Sequence, residues 1–98
     1  MTVNVDKNGD VATVVVEGRL DTVTAPELEN VLKDVYDSVK TLVFDFGKLE
    51  YISSAGLRVL LGTQKTMNKY GSMVVKNVVP VVMEVFEITG FKDILTIE

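Results

Sequence analysis

Alternating apolar and polar residues open the chain and predict a pair of β-strands. Val3 and Val5 alternate with polar neighbours, as in a half-buried strand. Asn8-Gly9 follows, and this dipeptide is a strong hairpin signal because both residues tolerate positive φ angles. A second strand over residues 11–17 carries apolar side chains on one face, at Ala12, Val14 and Val16. We therefore predict an antiparallel hairpin.

Apolar residues next recur at the spacing of a helix. Thr24 can cap the free amides of a helix start, Glu27 can reach back to Thr24, and Pro26 is tolerated in the first turn. The apolar stripe that follows comprises Leu28, Val31, Leu32, Val35 and Val39. The short apolar run of residues 41–45 suits a central strand. Strand, helix and strand of these lengths form a βαβ unit, so the second and third strands should be parallel.

The second half of the chain repeats this alternation of helix and strand. A second helix is predicted over residues 55–70, before Gly71 stops it, and a strand over residues 72–76. Pro80 opens a third helix that ends near Thr89-Gly90, and residues 94–97 form a closing strand. The predicted fold is a single α/β domain over residues 1–98, in the order ββαβαβαβ. Its mixed β-sheet would have the helices packed mainly on one face.

The second predicted helix has a broad apolar stripe and an opposite basic side. The stripe is defined by Leu57, Leu60, Leu61 and Met67 and widened by Val59, Thr63 and Tyr70. The opposite side carries Arg58, Gly62, Lys65 and Lys69 at helical spacing. That side is either a solvated charged face or a strip to which a partner docks, with Gly62 permitting close approach.

Composition narrows the range of functions. The 98-residue chain has a formal net charge of −4, which argues against a nucleic-acid binder, since phosphates require a basic face. It has no cysteine, which excludes disulfides and thiolate chemistry, and no histidine, which removes the commonest general base at neutral pH. A Ser-His-Asp hydrolase therefore cannot be built from this chain alone. The apolar runs are too short to span a bilayer and no signal peptide is visible, so we expect a cytoplasmic protein.

The segment richest in candidate chemistry joins the third strand to the second helix. Residues 45–61 leave a central strand at its carboxyl end and enter a helix through Ser53, Ser54, Ala55 and Gly56. Partners and ligands of open α/β sheets bind at that edge. Two structural alternatives stay open, because either serine can simply cap the helix and Gly56 can simply let the helix pack closely on the sheet.

The same segment carries a family resemblance. Residues 51–61, Tyr-Ile-Ser-Ser-Ala-Gly-Leu-Arg-Val-Leu-Leu, resemble the signature of STAS domains, which occur in sulfate transporters and anti-sigma factor antagonists. Residues 17–21, Glu-Gly-Arg-Leu-Asp, followed by Thr24-Ala25, are similar to the exit from the second strand in that family. Chain length and element order match as well. The resemblance implies a STAS fold and a stand-alone anti-sigma factor antagonist that is not an enzyme.

The resemblance also implies which residues act. In the sigma-regulating members the phosphorylated serine lies two residues before the motif glycine, which is Ser54 here, with Ser53 as the secondary candidate. The family often has Asp before this serine and Ser or Thr after it, where this chain has Ser53 and Ala55. The implied partner contacts are Asp21, Thr22, Ser53, Ala55, Gly56, Arg58, Val59 and Gly62.

Two aspartates are predicted at the same sheet edge as Ser54. Asp21 and Asp45 stand at the ends of neighbouring predicted strands. They could hold the metal–nucleotide of a bound kinase, orient the serine hydroxyl, or merely accept hydrogen bonds from loop amides. Two carboxylates also suggest a Mg²⁺ site. No Gly-rich phosphate loop accompanies them, so we expect no intrinsic nucleotidase, no cofactor and no resident metal.

The resemblance implies a partner-switching function. The unphosphorylated protein would bind a serine kinase-type anti-sigma factor, phosphorylation of Ser54 would lower its affinity, and a phosphatase would restore it. We expect a monomer when free, with no direct nucleic-acid contact and no membrane insertion. Three alternatives remain: a small STAS subunit docking on the ATPase of a membrane lipid-transport complex, a signalling scaffold that binds a small ligand, and an enzyme.

Overall fold

The alternating N-terminal residues form the predicted hairpin. In a computed structural model that describes residues 1–98, β1 (Thr2–Asn8) pairs antiparallel with β2 (Val11–Leu20). Gly9 lies in the intervening turn with φ of 63°, a left-handed conformation that glycine adopts at little cost. The hairpin prediction is confirmed, but its turn consists of Gly9 and Asp10 and not of Asn8-Gly9, because Asn8 is the last residue of β1, pairs with Val11 and has no positive φ. β2 extends three residues beyond the predicted 11–17.

The strands form one mixed sheet in the order β1-β2-β3-β4. β3 (Thr41–Ile52) runs parallel to β2, and β4 (Ser72–Lys76) runs parallel to β3. The connections are α1 (Ala25–Lys33) between β2 and β3, and α2 (Ser54–Tyr70) between β3 and β4, while α3 (Pro80–Thr89) follows β4. Helical crossovers are what parallel neighbours require. The α/β class, the mixed sheet and the parallel βαβ unit are therefore confirmed.

One face of the sheet is buried against the helices. Alternate residues of the two central strands have no exposed surface: Ala12, Val14 and Val16 in β2, and Leu42, Phe44 and Phe46 in β3. The helices cover them with Leu28 and Leu32 of α1, Leu60 and Met67 of α2, and Val82 and Phe86 of α3. Val15 and Val43, on the opposite face, stay half-buried. None of the helices combines the length and the apolar character needed to cross a membrane.

The predicted fifth strand over residues 94–97 is reduced to a single bridge. Ile97 pairs with Val75 alone, held by one hydrogen bond on each side of it. A 3-10 turn, Phe91–Asp93, follows Gly90, whose φ is 80°, and Ile94 ends that turn. Because the turn takes up residues 91–94, only the last few residues are left to run beside β4.

The start of α1 differs from the predicted capping box. Thr24 precedes the helix, but its side chain caps no helix amide and makes no hydrogen bond with Glu27. Its Oγ1 instead accepts a hydrogen bond of 2.8 Å from the Asp21 amide. The capping prediction is wrong because the preceding turn already engages the hydroxyl. Val35 and Val39 of the predicted stripe are buried, yet they lie beyond the last helical residue, Lys33.

β3 is much longer than the predicted residues 41–45, and this moves Asp45 away from the candidate edge. β3 continues to Ile52, whereas β4 ends where Lys76 lies opposite Asp45. At about 3.3 Å per residue, Asp45 is roughly 23 Å from the end of its strand at Ile52. The expectation that Asp45 lies beside Ser54 is therefore wrong. The Asp45 carboxylate instead accepts a hydrogen bond of 2.9 Å from the Gly47 amide.

Candidate functional site

The candidate site is built where β2 and β3 end side by side. Leu20 and Ile52 form the last register pair of these parallel strands, and the Ser53 amide donates a hydrogen bond of 2.9 Å to the Leu20 carbonyl. Beyond this bond β2 continues into the Asp21 loop, while β3 passes through one residue into α2. The same end of the sheet therefore presents both Asp21 and Ser54. We call this end, from Asp21 to Val23 and from Tyr51 to Val59, the docking edge.

The two serines of the docking edge have different environments. Ser53 is extended, with φ of −98° and ψ of 176°, and its Oγ caps α2 by accepting a hydrogen bond of 3.4 Å from the Gly56 amide. Ser54 is the first residue of α2, is exposed, and its hydroxyl is engaged in no hydrogen bond. The capping alternative therefore applies to Ser53, and Ser54 presents a free Oγ to solvent.

Gly56 lies beneath the start of α2, where the helix meets the sheet. A Cβ at this position would stand 2.7 Å from Leu20 Cγ and 2.9 Å from Ile52 Cγ1, closer than carbon atoms pack. The glycine thus lets α2 approach the ends of β2 and β3, which is the packing alternative for this residue. Gly62 differs, because a Cβ added there would meet nothing within 4 Å. Gly62 is exposed, whereas Gly56 is not.

A groove between α1 and α2 opens beside Ser54. Its volume is about 250 Å³, and its lining consists of Thr22, Ala25, Pro26, Glu29, Ala55, Arg58 and Val59. Four of these belong to the partner contacts expected from the sequence: Thr22, Ala55, Arg58 and Val59. The groove is smaller than the ~300–1,000 Å³ typical of small-molecule sites. Its hydrophobic lining residues are Ala25, Ala55 and Val59, and Glu29 and Arg58 also line it.

Asp21 organises the loop that faces α2. Its Oδ1 accepts hydrogen bonds from the Val23 amide at 3.0 Å and the Thr24 amide at 3.1 Å. The Thr24 amide is the largest influence that lowers the pKa of Asp21 below its ordinary value of 3.8, against the opposing effect of partial desolvation. The Thr24 hydroxyl, the Val23 amide and the Arg19 guanidinium lower this pKa further. The loop-amide role considered for Asp21 is therefore present, and the ionised carboxylate stabilises a tight turn.

Three exposed side chains had not been selected by sequence reasoning: Val23 and Tyr51 within the docking edge, and Arg19 beside it. The Arg19 guanidinium lies 4.1 Å from the centre of the Tyr51 ring and 3.9 Å from Asp21 Oδ2. Val23, at the tip of the Asp21 turn, is 78% exposed. Arg19 and Tyr51 each precede the last buried residue of their strand, so alternation was the available signal. Their pairing depends on a register shift between β2 and β3, which alternation does not reveal.

The outward side of α2 is basic and lacks ionic partners. Arg58, Gly62, Lys65 and Lys69 are all exposed, as the helical spacing predicts. α2 contains no acidic residue. The three ion pairs of the structure lie elsewhere, between Arg19 and Asp21, Lys48 and Glu17, and Lys76 and Glu98. Tyr70, predicted to widen the apolar stripe, is instead 52% exposed in the last turn.

Comparison with known proteins agrees with this architecture. The STAS domain family matches residues 2–98. The protein BtrV of Bordetella bronchiseptica is 36% identical over 99 residues, covering 99% of this chain and 85% of BtrV. An anti-sigma-B factor antagonist of Staphylococcus aureus is 34% identical over 84 residues, covering 84% of this chain and 78% of that protein. The crystal structure of an anti-sigma factor antagonist from Mycobacterium paratuberculosis superimposes with a TM-score of 0.89 at 31% identity, covering 98% of this chain and 83% of the other. The chain belongs to the STAS domain family.

Proposed function

We propose that this protein is an anti-sigma factor antagonist whose partner affinity is set by phosphorylation of Ser54. Unphosphorylated, it binds a kinase-type anti-sigma factor and so frees the sigma factor. The kinase phosphorylates Ser54 and releases the protein, and a separate phosphatase reverses the modification. The relatives named as anti-sigma factor antagonists support the general role. The observation that carries the proposal is the free, exposed hydroxyl of Ser54 beside the α1–α2 groove.

The phosphoryl transfer requires only a nucleophilic hydroxyl from this chain. Ser54 Oγ attacks the γ-phosphorus of ATP, the new Oγ–P bond forms as the bond to the bridging oxygen of ADP breaks, and the hydroxyl proton passes to a base. Because the chain has no histidine, we assign that base to the kinase partner. Ser53 is the poorer acceptor, since its Oγ is held against the Gly56 amide.

The phosphate alters the docking edge far more than the fold. Phosphoserine adds about −1.5 to −2 charges and three strong acceptor oxygens. At the first turn of α2 the free amides favour an anion by ~0.3–1 kcal/mol, so folding is not penalised. The same dianion in a closed interface must lose its water, which costs several kcal/mol when it is unpaired. Since each ~1.4 kcal/mol is a tenfold change in affinity, this cost is enough to separate the partners.

The proposal is tested with a purified kinase-type anti-sigma factor and ATP. We expect mass spectrometry to locate one phosphate on Ser54, and titration calorimetry to show partner binding weakened at least tenfold after complete phosphorylation. Ser54→Ala should abolish the modification, while the matched control Ser53→Ala should retain it. Phosphate on Ser53 or on a threonine, or unchanged affinity after modification, would contradict the proposal. Recovery of an ABC-type ATPase and no kinase in a pull-down would instead support the transport alternative.

A further inference from the structure

Ser54 and Arg58 lie one helical turn apart on the exposed side of α2. Residues four apart in a helix have Cβ atoms about 5–6 Å from each other. Long helical side chains point back toward the N-terminus and cover the turn that precedes their own Cα. The turn that Arg58 covers is therefore the one that begins at Ser54.

The Arg58 guanidinium is free to take an anionic partner. α2 has no acidic residue, and Glu29, which also lines the groove, makes no ion pair with Arg58. An anion placed four residues before a cation is the favourable order along a helix. The planar guanidinium also matches two phosphate oxygens at once, a geometry that a lysine cannot offer.

We propose that Arg58 is the intramolecular counter-ion of phosphorylated Ser54, an inference that rests on the proposed modification of that serine. Before phosphorylation Arg58 stands at the rim of the groove, available to an acidic group of the partner. After phosphorylation the guanidinium binds the phosphate. One modification thus changes the docking edge twice, because a dianion is gained and a cation is withdrawn from the partner.

The other cations of α2 are too distant to share this role. Lys65 and Lys69 follow Ser54 by eleven and fifteen residues. At about 1.5 Å per residue they lie roughly 16 and 22 Å farther along the helix axis. Both distances exceed the Debye length of about 8 Å at physiological ionic strength. Lys65 is therefore a matched control, since it is an exposed and unpaired cation of the same helix.

The test incorporates phosphoserine at position 54 during translation, so that no kinase is needed. Its phosphate is titrated by ³¹P NMR in the otherwise wild-type protein and in the R58Q and K65Q backgrounds. A bound cation favours the dianion and so lowers the second phosphate pKa, which is ordinarily about 6. We expect R58Q to raise this pKa by about 0.3 or more and K65Q to leave it unchanged. Molar salt should remove the difference between R58Q and the wild-type background.

A second readout separates this inference from the proposed function. Partner affinity is measured for four proteins, unmodified and phosphorylated, each with the wild-type side chain or with R58Q. We expect R58Q to weaken partner binding by the unmodified protein. We also expect phosphorylation to reduce partner affinity by a smaller factor in R58Q than in the wild-type background. Equal phosphate pKa values with and without R58Q would contradict the proposed role of Arg58 as counter-ion, even if phosphorylation still weakened partner binding. If R58Q raised the phosphate pKa but phosphorylation left partner affinity unchanged, the role of Arg58 as counter-ion would stand. The proposed control of partner binding by phosphorylation would then be refuted.

Discussion

The Ser53 amide donates a hydrogen bond of 2.9 Å to the Leu20 carbonyl, which joins the ends of β2 and β3 at the point where the docking edge begins. The Ser53 side chain simultaneously caps α2. One residue therefore fixes both the strand end and the helix start, while its neighbour Ser54 is left exposed. These different environments explain how Ser54, the proposed site of phosphorylation, can lie next to the core without being part of it.

Alanine substitutions of the two serines should have clearly different effects on the free energy of unfolding. Ser53→Ala removes the cap of α2 and should lower the free energy of unfolding by about 0.5–2 kcal/mol. Ser54→Ala removes an exposed hydroxyl without a hydrogen bond and should change it by less than about 0.5 kcal/mol. Urea denaturation monitored by circular dichroism measures both values. Equal losses in the two variants would argue against the different environments described for these residues.

Gly56 and Gly62 form a matched pair of glycines within one helix. Gly56→Ala places a Cβ against Leu20 and Ile52 and should destabilise the protein by about 1–3 kcal/mol through overpacking. Gly62→Ala meets open space and should stabilise it by about 0.5–1 kcal/mol, because alanine is the better helix former. Chemical denaturation of the two variants gives the sign of each change. A stabilised Gly56→Ala protein would contradict the close contact between α2 and the sheet.

Asp21 should contribute to the pH dependence of stability. Its pKa in the folded protein is lowered below 3.8, chiefly by the Thr24 amide, so the folded state favours the ionised form. The contribution is therefore complete above the unfolded pKa and is lost as pH falls through the lower folded pKa. We expect the melting temperature of Asp21→Asn to lie below that of the wild type at pH 6 and to approach it at pH 2–3. Thr24→Val keeps the backbone amide of residue 24 and should keep most of the pH dependence of the melting temperature. A constant difference in melting temperature between wild type and Asp21→Asn from pH 6 to pH 2 would contradict the assignment of this pH dependence to Asp21.

Val23 should contribute to partner binding through apolar contact. It is 78% exposed, and the Asp21 turn holds its backbone in place. Val23→Ser should weaken binding of the kinase-type partner several-fold while changing the free energy of unfolding by less than about 0.5 kcal/mol. Ile88 supplies the control, since it is also 78% exposed but lies on α3, outside the docking edge. An equal loss of binding in Ile88→Ser would show that the effect is not specific to this edge.

The sequence predicted those parts of the fold that rest on periodicity. Val14 and Val16 in β2, and Leu60 and Met67 in α2, occupy the buried positions that alternation and helical spacing imply. The start of α2 was also predictable to within one residue, because small polar residues precede an apolar helical pattern.

What could not be predicted depends on contacts between distant residues. The polar residues Lys48 and Glu50 interrupt the apolar run of β3, so its extension to Ile52 shows only in the pairing with β2. The position of Asp45 was wrong for that reason. Thr24 has the composition of a helix cap, yet the turn built by Asp21 takes its hydroxyl first.

The unequal lengths of β3 and β4 have a mechanical consequence. β3 has neighbours on both sides only as far as Asp45, where β4 ends. From there to Lys48 it lies in a three-stranded part of the sheet, because β2 still pairs with β1 as far as Glu17. Only from Leu49 to Ile52 does it form a two-stranded ribbon with β2, and such ribbons twist more than wider sheets. The docking edge thus stands at the end of this ribbon, which still carries the buried core residues Leu20, Leu49 and Ile52. Any bending of this ribbon therefore moves core side chains that lie against Gly56 at the start of α2, so the edge is mechanically tied to the core.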